Sequence, residues 1–107
     1  MIQNLDRINI IKRNMVKQSV EIASKCSDIE RVVVFGSSVR EDCHEDSDID
    51  FCFYVSKGHN KRTFNAALRE ICAACGYLAD TLRADLLQGT ILDTIQNEGV
   101  VVYDRLS

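Results

Sequence analysis

Acidic residues alternate with other residues in the segment Asp46-Ser47-Asp48-Ile49-Asp50-Phe51. In a β-strand, side chains two residues apart point to the same face and lie roughly 6.5 to 7 Å apart, so Asp48 and Asp50 project together while Ile49 enters the core. Two carboxylates this close are unfavourable unless a cation or a proton neutralises them. A hard cation such as Mg²⁺ prefers oxygen ligands and is usually held by few carboxylates together with substrate phosphates. We therefore predict a divalent metal site at Asp48 and Asp50.

A calcium-binding loop is the alternative for these carboxylates, because Asp46, Asp48 and Asp50 have D-x-D-x-D spacing. Such a loop needs glycine at its sixth position and glutamate at its twelfth, where this chain has Phe51 and Lys57. The calcium alternative therefore fails at two positions. The other acidic residues before the strand are typical of a solvated loop: Glu41, Asp42, Glu45 and Asp46.

A segment of small residues, Gly36-Ser37-Ser38-Val39-Arg40, precedes the acidic pair and directly follows the apolar run Val32–Phe35. After a buried strand, backbone N–H groups can cradle phosphates, and glycine allows their close approach. Gly-Ser alone is a weak signal. Followed ten residues later by Ser-Asp-Ile-Asp, it becomes a strong one, because a phosphate cradle and metal carboxylates then meet at adjacent strand ends.

The elements that must position these residues follow from hydrophobic periodicity. Near-helical spacing of apolar residues predicts an amphipathic helix over roughly residues 3 to 25, to which we assign a packing role. After it we expect a strand at 31–35, a strand at 49–55, a helix at about 64–75 stopped by Gly76, a strand near 77–82, a short helix at about 86–95 ended by Gly99, and a strand at 100–103. This order predicts an α+β fold with one small mixed sheet of about four strands covered by helices.

Composition bounds the remaining possibilities. With 107 residues, 46% of them hydrophobic, we expect residues 1–107 to form one domain with a single core. No apolar run approaches the roughly 18 residues of a spanning helix, and the N-terminus lacks the features of a signal peptide, so we expect a cytoplasmic protein without a membrane span. The net charge of −3 argues against direct nucleic-acid binding through a general basic surface. The odd count of five cysteines favours free thiols, and we interpret Cys72-Ala73-Ala74-Cys75 as packing residues rather than as half of a zinc site.

The glycine-serine segment and the two aspartates resemble the motif of the DNA polymerase β-like nucleotidyltransferase superfamily, in particular its minimal nucleotidyltransferases. The resemblance extends to Cys75–Asp80, which is similar to the family's third-carboxylate strand, and to Ile95–Tyr103, which is similar to its closing segment. It covers the chain from about residue 31 to 103, the expected catalytic core. The chain departs from many relatives at Glu41, where they have glycine, and this carboxylate must turn outward to spare a bound triphosphate.

The resemblance implies a metal-dependent transfer of a nucleoside monophosphate, AMP from ATP, to an acceptor hydroxyl. It implies that two Mg²⁺ ions are bound by Asp48, Asp50 and a third catalytic carboxylate, for which Asp80 is our choice and Asp85 the competitor. It also implies a nucleotide-binding role for four residues: Gly36, Ser37, Ser38 and Arg40.

The same resemblance implies a partner, because minimal nucleotidyltransferases are often paired with a small helical HEPN protein. In such pairs the nucleotidyltransferase is an antitoxin that neutralises a ribonuclease toxin by AMP transfer. We keep two alternatives: a non-catalytic module that binds nucleotide or partner, and transfer to a small-molecule hydroxyl such as that of an aminoglycoside. A homo-oligomer is the other association that we consider.

Overall fold

A mixed sheet organises the chain in the structure, a computed structural model that describes residues 2–106. The strands are β1 (Ile29–Phe35), β2 (Ile49–Val55), β3 (Ala79–Arg83) and β4 (Val100–Asp104). The helices are α1 (Arg13–Ser24), α2 (Lys61–Ala74) and α3 (Thr90–Glu98), and short 3₁₀ turns occupy Leu5–Arg7, Gly36–Val39 and Ala84–Leu86. The predicted α+β fold and the predicted order of its elements are confirmed.

The strand order in the sheet is β3-β2-β1-β4. β1 runs antiparallel to both β2 and β4, whereas β2 and β3 are parallel and joined through α2. Because of these directions, the end of β1 and the beginnings of β2 and β3 meet at one end of the sheet. Phe35 there pairs with Asp50, and Asp50 pairs with Asp80.

The two faces of the sheet bury different residues. Ile49, Phe51 and Phe53 lie in the larger core cluster together with residues of α1 and α2. The intervening Cys52 lies in a second cluster with Ile95 of α3. Side chains of β2 therefore alternate between two packed faces, and Asp50 lies on the α3 face because it is two residues from Cys52.

The single N-terminal helix predicted over residues 3 to 25 is wrong in its first half, since α1 begins only at Arg13. Asn4 has a left-handed backbone with φ 55°, and Ile8 is extended. The Asn9 side chain then accepts a hydrogen bond from the Ile11 backbone N–H at 3.1 Å, which forms a turn that competes with a helix. Apolar periodicity continued through these residues because Ile8 still reaches the core.

Two further predicted boundaries shift by a few residues. Gly76 and Tyr77 both have positive φ after α2, so the third strand begins at Ala79 rather than at Tyr77. The last helix begins at Thr90, because residues before it form a 3₁₀ turn that leaves Leu86 exposed.

All five cysteines are free thiols, as predicted. Among residues 2–106, no helix is both long enough and apolar enough to cross a membrane.

Candidate active site

The turn after β1 requires glycine at position 36 for two reasons. Gly36 has φ +75°, a conformation that side chains with a Cβ rarely adopt. A Cβ on Gly36 would also overlap the carboxylate of Asp50. The backbone of the Gly36-Ser37 turn therefore lies directly against Asp50, and the sequence prediction that these two segments meet at adjacent strand ends is confirmed.

Asp50 and Asp80 form a pair across the parallel strands β2 and β3. Residues in register on parallel strands project to the same face, so the two carboxylates lie side by side at the end of the sheet. Asp50 is half-buried and Asp80 is exposed. Burial raises the pKa of Asp50 above its ordinary value, and the neighbouring carboxylates of Asp80 and Asp48 raise it further, whereas Arg40 opposes them. Asp48 and Asp80 are therefore both close enough to act on the Asp50 carboxylate.

No basic side chain among the described residues forms a salt bridge with any of these three carboxylates. Within residues 2–106 there is also no group of three or more His, Cys, Asp or Glu side chains arranged as a ready metal-binding set. Magnesium does not require such a set, because it is commonly held by one or two carboxylates and the phosphates of its substrate. Unpaired carboxylates beside a glycine turn fit an ion that arrives with a polyphosphate.

The carboxylate of Asp85 is held by Arg83, away from Asp50 and the Gly36 turn. Its carboxylate accepts hydrogen bonds from Arg83 Nε at 3.0 Å and Nη2 at 2.5 Å, in the turn that follows β3. These contacts lower the pKa of Asp85. β3 begins beside Asp50 and runs away from it, so Asp80 lies at the site and Asp85 beyond the far end of the strand. Of the two candidates for the third carboxylate, Asp80 therefore lies beside Asp50 and Asp85 does not.

The remaining predicted residues differ in exposure. Ser37 is half-buried in the turn, and Arg40 is exposed with its guanidinium Nε donating to Asp42 Oδ1 at 3.0 Å. Ser38 is fully buried, and its hydroxyl has no hydrogen-bond partner among the described residues. Ser38 therefore lies beneath the turn rather than on its surface. Glu41 is exposed, as a carboxylate near a triphosphate would need to be.

Two N-terminal residues that we assigned only to helix packing contact the same loop. The Asn9 backbone N–H donates to Ser38 O at 2.7 Å, and its side-chain amide donates to Arg40 O at 2.9 Å. Lys12 is fully buried, and its Nζ donates to Glu45 O at 2.9 Å. Their sequence context carries no signal for these contacts, because the partners lie about thirty residues away and are backbone carbonyls.

Solved structures with a similar fold include a putative minimal nucleotidyltransferase, at 19% identity and a TM-score of 0.67, covering 92% of this chain and 95% of that one. A chain from a toxin–antitoxin structure with AMP-PNP matches at 13% identity and a TM-score of 0.64. The match covers 85% of this chain and 72% of that one. A chain from the complex of tri-AMPylated Shewanella oneidensis HEPN toxin with MNT antitoxin matches at 11% identity and a TM-score of 0.62. The match covers 89% of this chain and 73% of that one. At these identities the likeness establishes the fold.

No curated protein is similar enough in sequence to count as a match. The family model described as "Polymerase beta, Nucleotidyltransferase" matches residues 17–107, which include the glycine turn and all three carboxylates. Together with the shared fold, this match places the chain in the polymerase β-like nucleotidyltransferase family.

Proposed function

We propose that the chain is a metal-dependent adenylyltransferase that moves AMP from ATP to a hydroxyl group on a small helical HEPN-type partner protein, and so acts as the antitoxin of a toxin–antitoxin pair in the cytoplasm. The observation that carries the proposal is the meeting of Asp50, Asp80 and the Gly36 turn at one end of the sheet. The similar structures support the choice of nucleotide and partner, since one is a complex with AMP-PNP and another contains an AMPylated HEPN toxin.

The turn is the proposed phosphate site. The missing Cβ of Gly36 lets the turn pass directly beside the Asp50 carboxylate, and Ser37 follows it, half-buried in the turn. Arg40 is exposed and electrostatically coupled to Asp50, so its guanidinium can swing from Asp42 to a triphosphate. The buried Ser38 would hold the shape of the turn from below.

The three carboxylates are the proposed metal ligands. Asp48 and Asp50 would hold both Mg²⁺ ions, and Asp80 would hold the one nearer the acceptor. When bound, such a pair of ions stabilises the attacking and leaving oxygens and lowers the pKa of the acceptor hydroxyl.

The transfer follows from this placement. The acceptor oxygen attacks the α-phosphorus of ATP, the bond from that phosphorus to the bridging oxygen breaks, and pyrophosphate leaves. Asp80, exposed at the start of β3, would take the acceptor proton. Asp50, half-buried against the turn, would hold the metal ions, which would supply the positive charge that the phosphates need there.

The test is to incubate the purified chain with a HEPN-type partner protein, Mg²⁺ and ATP labelled at the α-phosphate. We expect the partner to gain the mass of AMP, and the gain to disappear with Asp50→Asn. Asp93→Asn is the matched control, because Asp93 is an exposed acid on α3, outside the site. Tight association without any label would refute the transferase and favour a non-catalytic binding module.

A further inference from the structure

The loop between β1 and β2 carries most of the proposed nucleotide site but little regular structure of its own. It spans residues 36–48, and beyond the 3₁₀ turn Gly36–Val39 it contains no helix or strand. Its internal hydrogen bonds are local, such as Arg40 N–H to Ser37 O at 3.0 Å and Ser47 N–H to His44 O at 3.0 Å. Packing also anchors the loop, since Val39 lies against the larger core cluster and Cys43 is buried. Segments with few internal bonds open easily unless bonds from outside hold them, so donors elsewhere in the fold matter for this loop.

The N-terminal segment 8–12 makes three hydrogen bonds to backbone carbonyls of this loop. Two come from Asn9, to the carbonyls of Ser38 and Arg40, and one comes from Lys12 Nζ, to the carbonyl of Glu45. They are spread over eight residues of the loop, from just after the glycine turn to just before Asp48. The segment therefore ties both ends of the loop to one support.

That support is itself rigid. Ile8 is 1% exposed and lies in the larger core cluster. The Asn9 side chain accepts from the Ile11 N–H, which fixes the orientation of the amide that donates to the loop. Arg13 Nε donates to Ile8 O at 2.8 Å from the first turn of α1. The donors of Asn9 and Lys12 are thus held in place by the core and by α1.

Lys12 is an unusual residue for such a place, because its side chain is 0% exposed and forms no salt bridge with a described residue. Burying an ammonium group costs free energy that an apolar side chain of the same length would not. Packing therefore does not account for a lysine at this position. Its hydrogen bond to the Glu45 carbonyl does, because a long donor is needed to reach the loop from α1.

We propose that Asn9 and Lys12 are positioning residues of the nucleotide site: they hold the 36–48 loop so that the glycine turn and Asp48 face the same phosphates. The inference rests on the proposed function for its link to ATP. The predicted role of the N-terminal segment, packing alone, is then incomplete.

The experiment compares Lys12→Met and Asn9→Asp with the wild-type chain. Lys12→Met removes the donor and the buried charge and leaves an unbranched apolar side chain that is only one atom shorter. Asn9→Asp keeps the oxygen that accepts from Ile11 and removes the amide that donates to Arg40 O. Lys17→Met is the control, since Lys17 is exposed on the same helix. The readouts are thermal unfolding, hydrogen exchange of peptides across the loop, and binding of Mg²⁺ with α,β-methylene ATP.

Losing either donor should speed amide exchange in the loop by roughly tenfold and weaken binding of the analogue by a similar factor. Exchange in β1 and α2 should stay unchanged, and Lys12→Met should unfold at the same temperature or higher. A merely structural role would instead lower the unfolding temperature and speed exchange throughout. Lys17→Met should match the wild type in every readout.

The outcomes separate the two proposals. Wild-type loop exchange and wild-type binding in both variants would overturn the positioning role. Faster exchange confined to the loop, in a chain that binds no nucleotide even as wild type, would overturn the proposed function while leaving the loop support established. If Lys12→Met does not fold, Asn9→Asp alone tests the positioning role.

Discussion

Replacing Asp50 with asparagine should stabilise the chain in metal-free buffer at neutral pH. The carboxylate is half-buried and lies beside Asp80 and Asp48, and no described basic side chain pairs with it. Asparagine keeps the shape of the side chain and removes its charge. The substitution should therefore abolish a repulsion that the folded chain carries whenever no cation is bound.

The size of the effect follows from the register. Neighbouring strands lie about 4.8 Å apart, so the paired carboxylates are close to that separation. Two unit charges about 5 Å apart repel by about 1 kcal/mol in water and by a few kcal/mol at the lower permittivity near a protein surface. Because Asp80 is exposed, solvent screening favours the smaller figure. A gain of about 1 kcal/mol corresponds to a rise of about 4 °C in Tm for a domain of this size.

The pH dependence has a definite sign. The pKa of Asp50 is raised in the folded chain, so protonation of this carboxyl favours folding. That contribution is fully present below the unfolded pKa of about 3.9 and is lost as pH rises through the higher folded-state pKa. The advantage of Asp50→Asn over wild type should therefore be largest at pH 7 and should disappear towards pH 4.

The assay is thermal unfolding of both proteins across this pH range in chelator, at low and at high salt. High salt should reduce the difference, because it screens the repulsion. Asp93→Asn should change Tm little at any pH. A lower Tm for Asp50→Asn at pH 7, or a difference that does not change with pH, would refute the claim that the carboxylates repel one another.

Three further experiments test separate features of the chain. Asp80→Asn should lower kcat of AMP transfer far more than it weakens ATP binding, whereas Asp85→Asn should be mild in a transfer assay, because its carboxylate is held by a neighbouring arginine outside the site; the reverse ranking would refute our assignment. Gly36→Ala and Gly58→Ala both place a Cβ at φ near +75°, which should cost about 1 kcal/mol at Gly58 in chemical denaturation and more at Gly36, where the Cβ also overlaps the Asp50 carboxylate. Only Gly36→Ala should lose binding of Mg²⁺ and ATP, because only there does the Cβ meet a site carboxylate. The Cys52 thiol, whose pKa burial raises to about 11, should resist iodoacetamide at pH 8 in the folded chain and react after unfolding; equal rates would contradict its burial.

The sequence predicted those parts of the fold that depend on local pattern. Alternation in β2 identified which side chains enter the core, and the two glycines after α2 and α3 marked the ends of those helices. The N-terminal helix was predicted too long, because apolar periodicity shows that Ile8 is buried but not how its backbone reaches the core. There the hydrogen bonds of Asn9 decide the conformation, and their partners lie in a distant loop.

The candidate site, like the fold, was predictable only where it depends on local spacing. Asp48 directly precedes β2 and Asp50 lies in it, so for an extended backbone their spacing alone predicts that they face the same way. The position of Asp80 depends on the register of two parallel strands, which hydrophobic pattern does not specify, and the resemblance to a family supplied it. The sequence did not indicate that Lys12 is buried or that it contacts the loop, because a helical pattern does not distinguish a buried lysine from an exposed one.

The distribution of ion pairs adds an argument that composition could not provide. Arg31, Arg40 and Arg83 each pair with an aspartate, and none of the three partners belongs to the Asp48, Asp50 and Asp80 group. Among the described residues, Asp48, Asp50 and Asp80 therefore have no salt-bridge partner, and Arg40 offsets only part of the repulsion at Asp50, although 13 basic residues stand against 16 acidic ones in the chain. Such a site favours a cation that binds only the folded state, and a ligand at a hundred times its Kd would add about 2.7 kcal/mol to stability. That gain exceeds the repulsion of about 1 kcal/mol, so binding of Mg²⁺ with ATP should reverse the order of stability between wild type and Asp50→Asn.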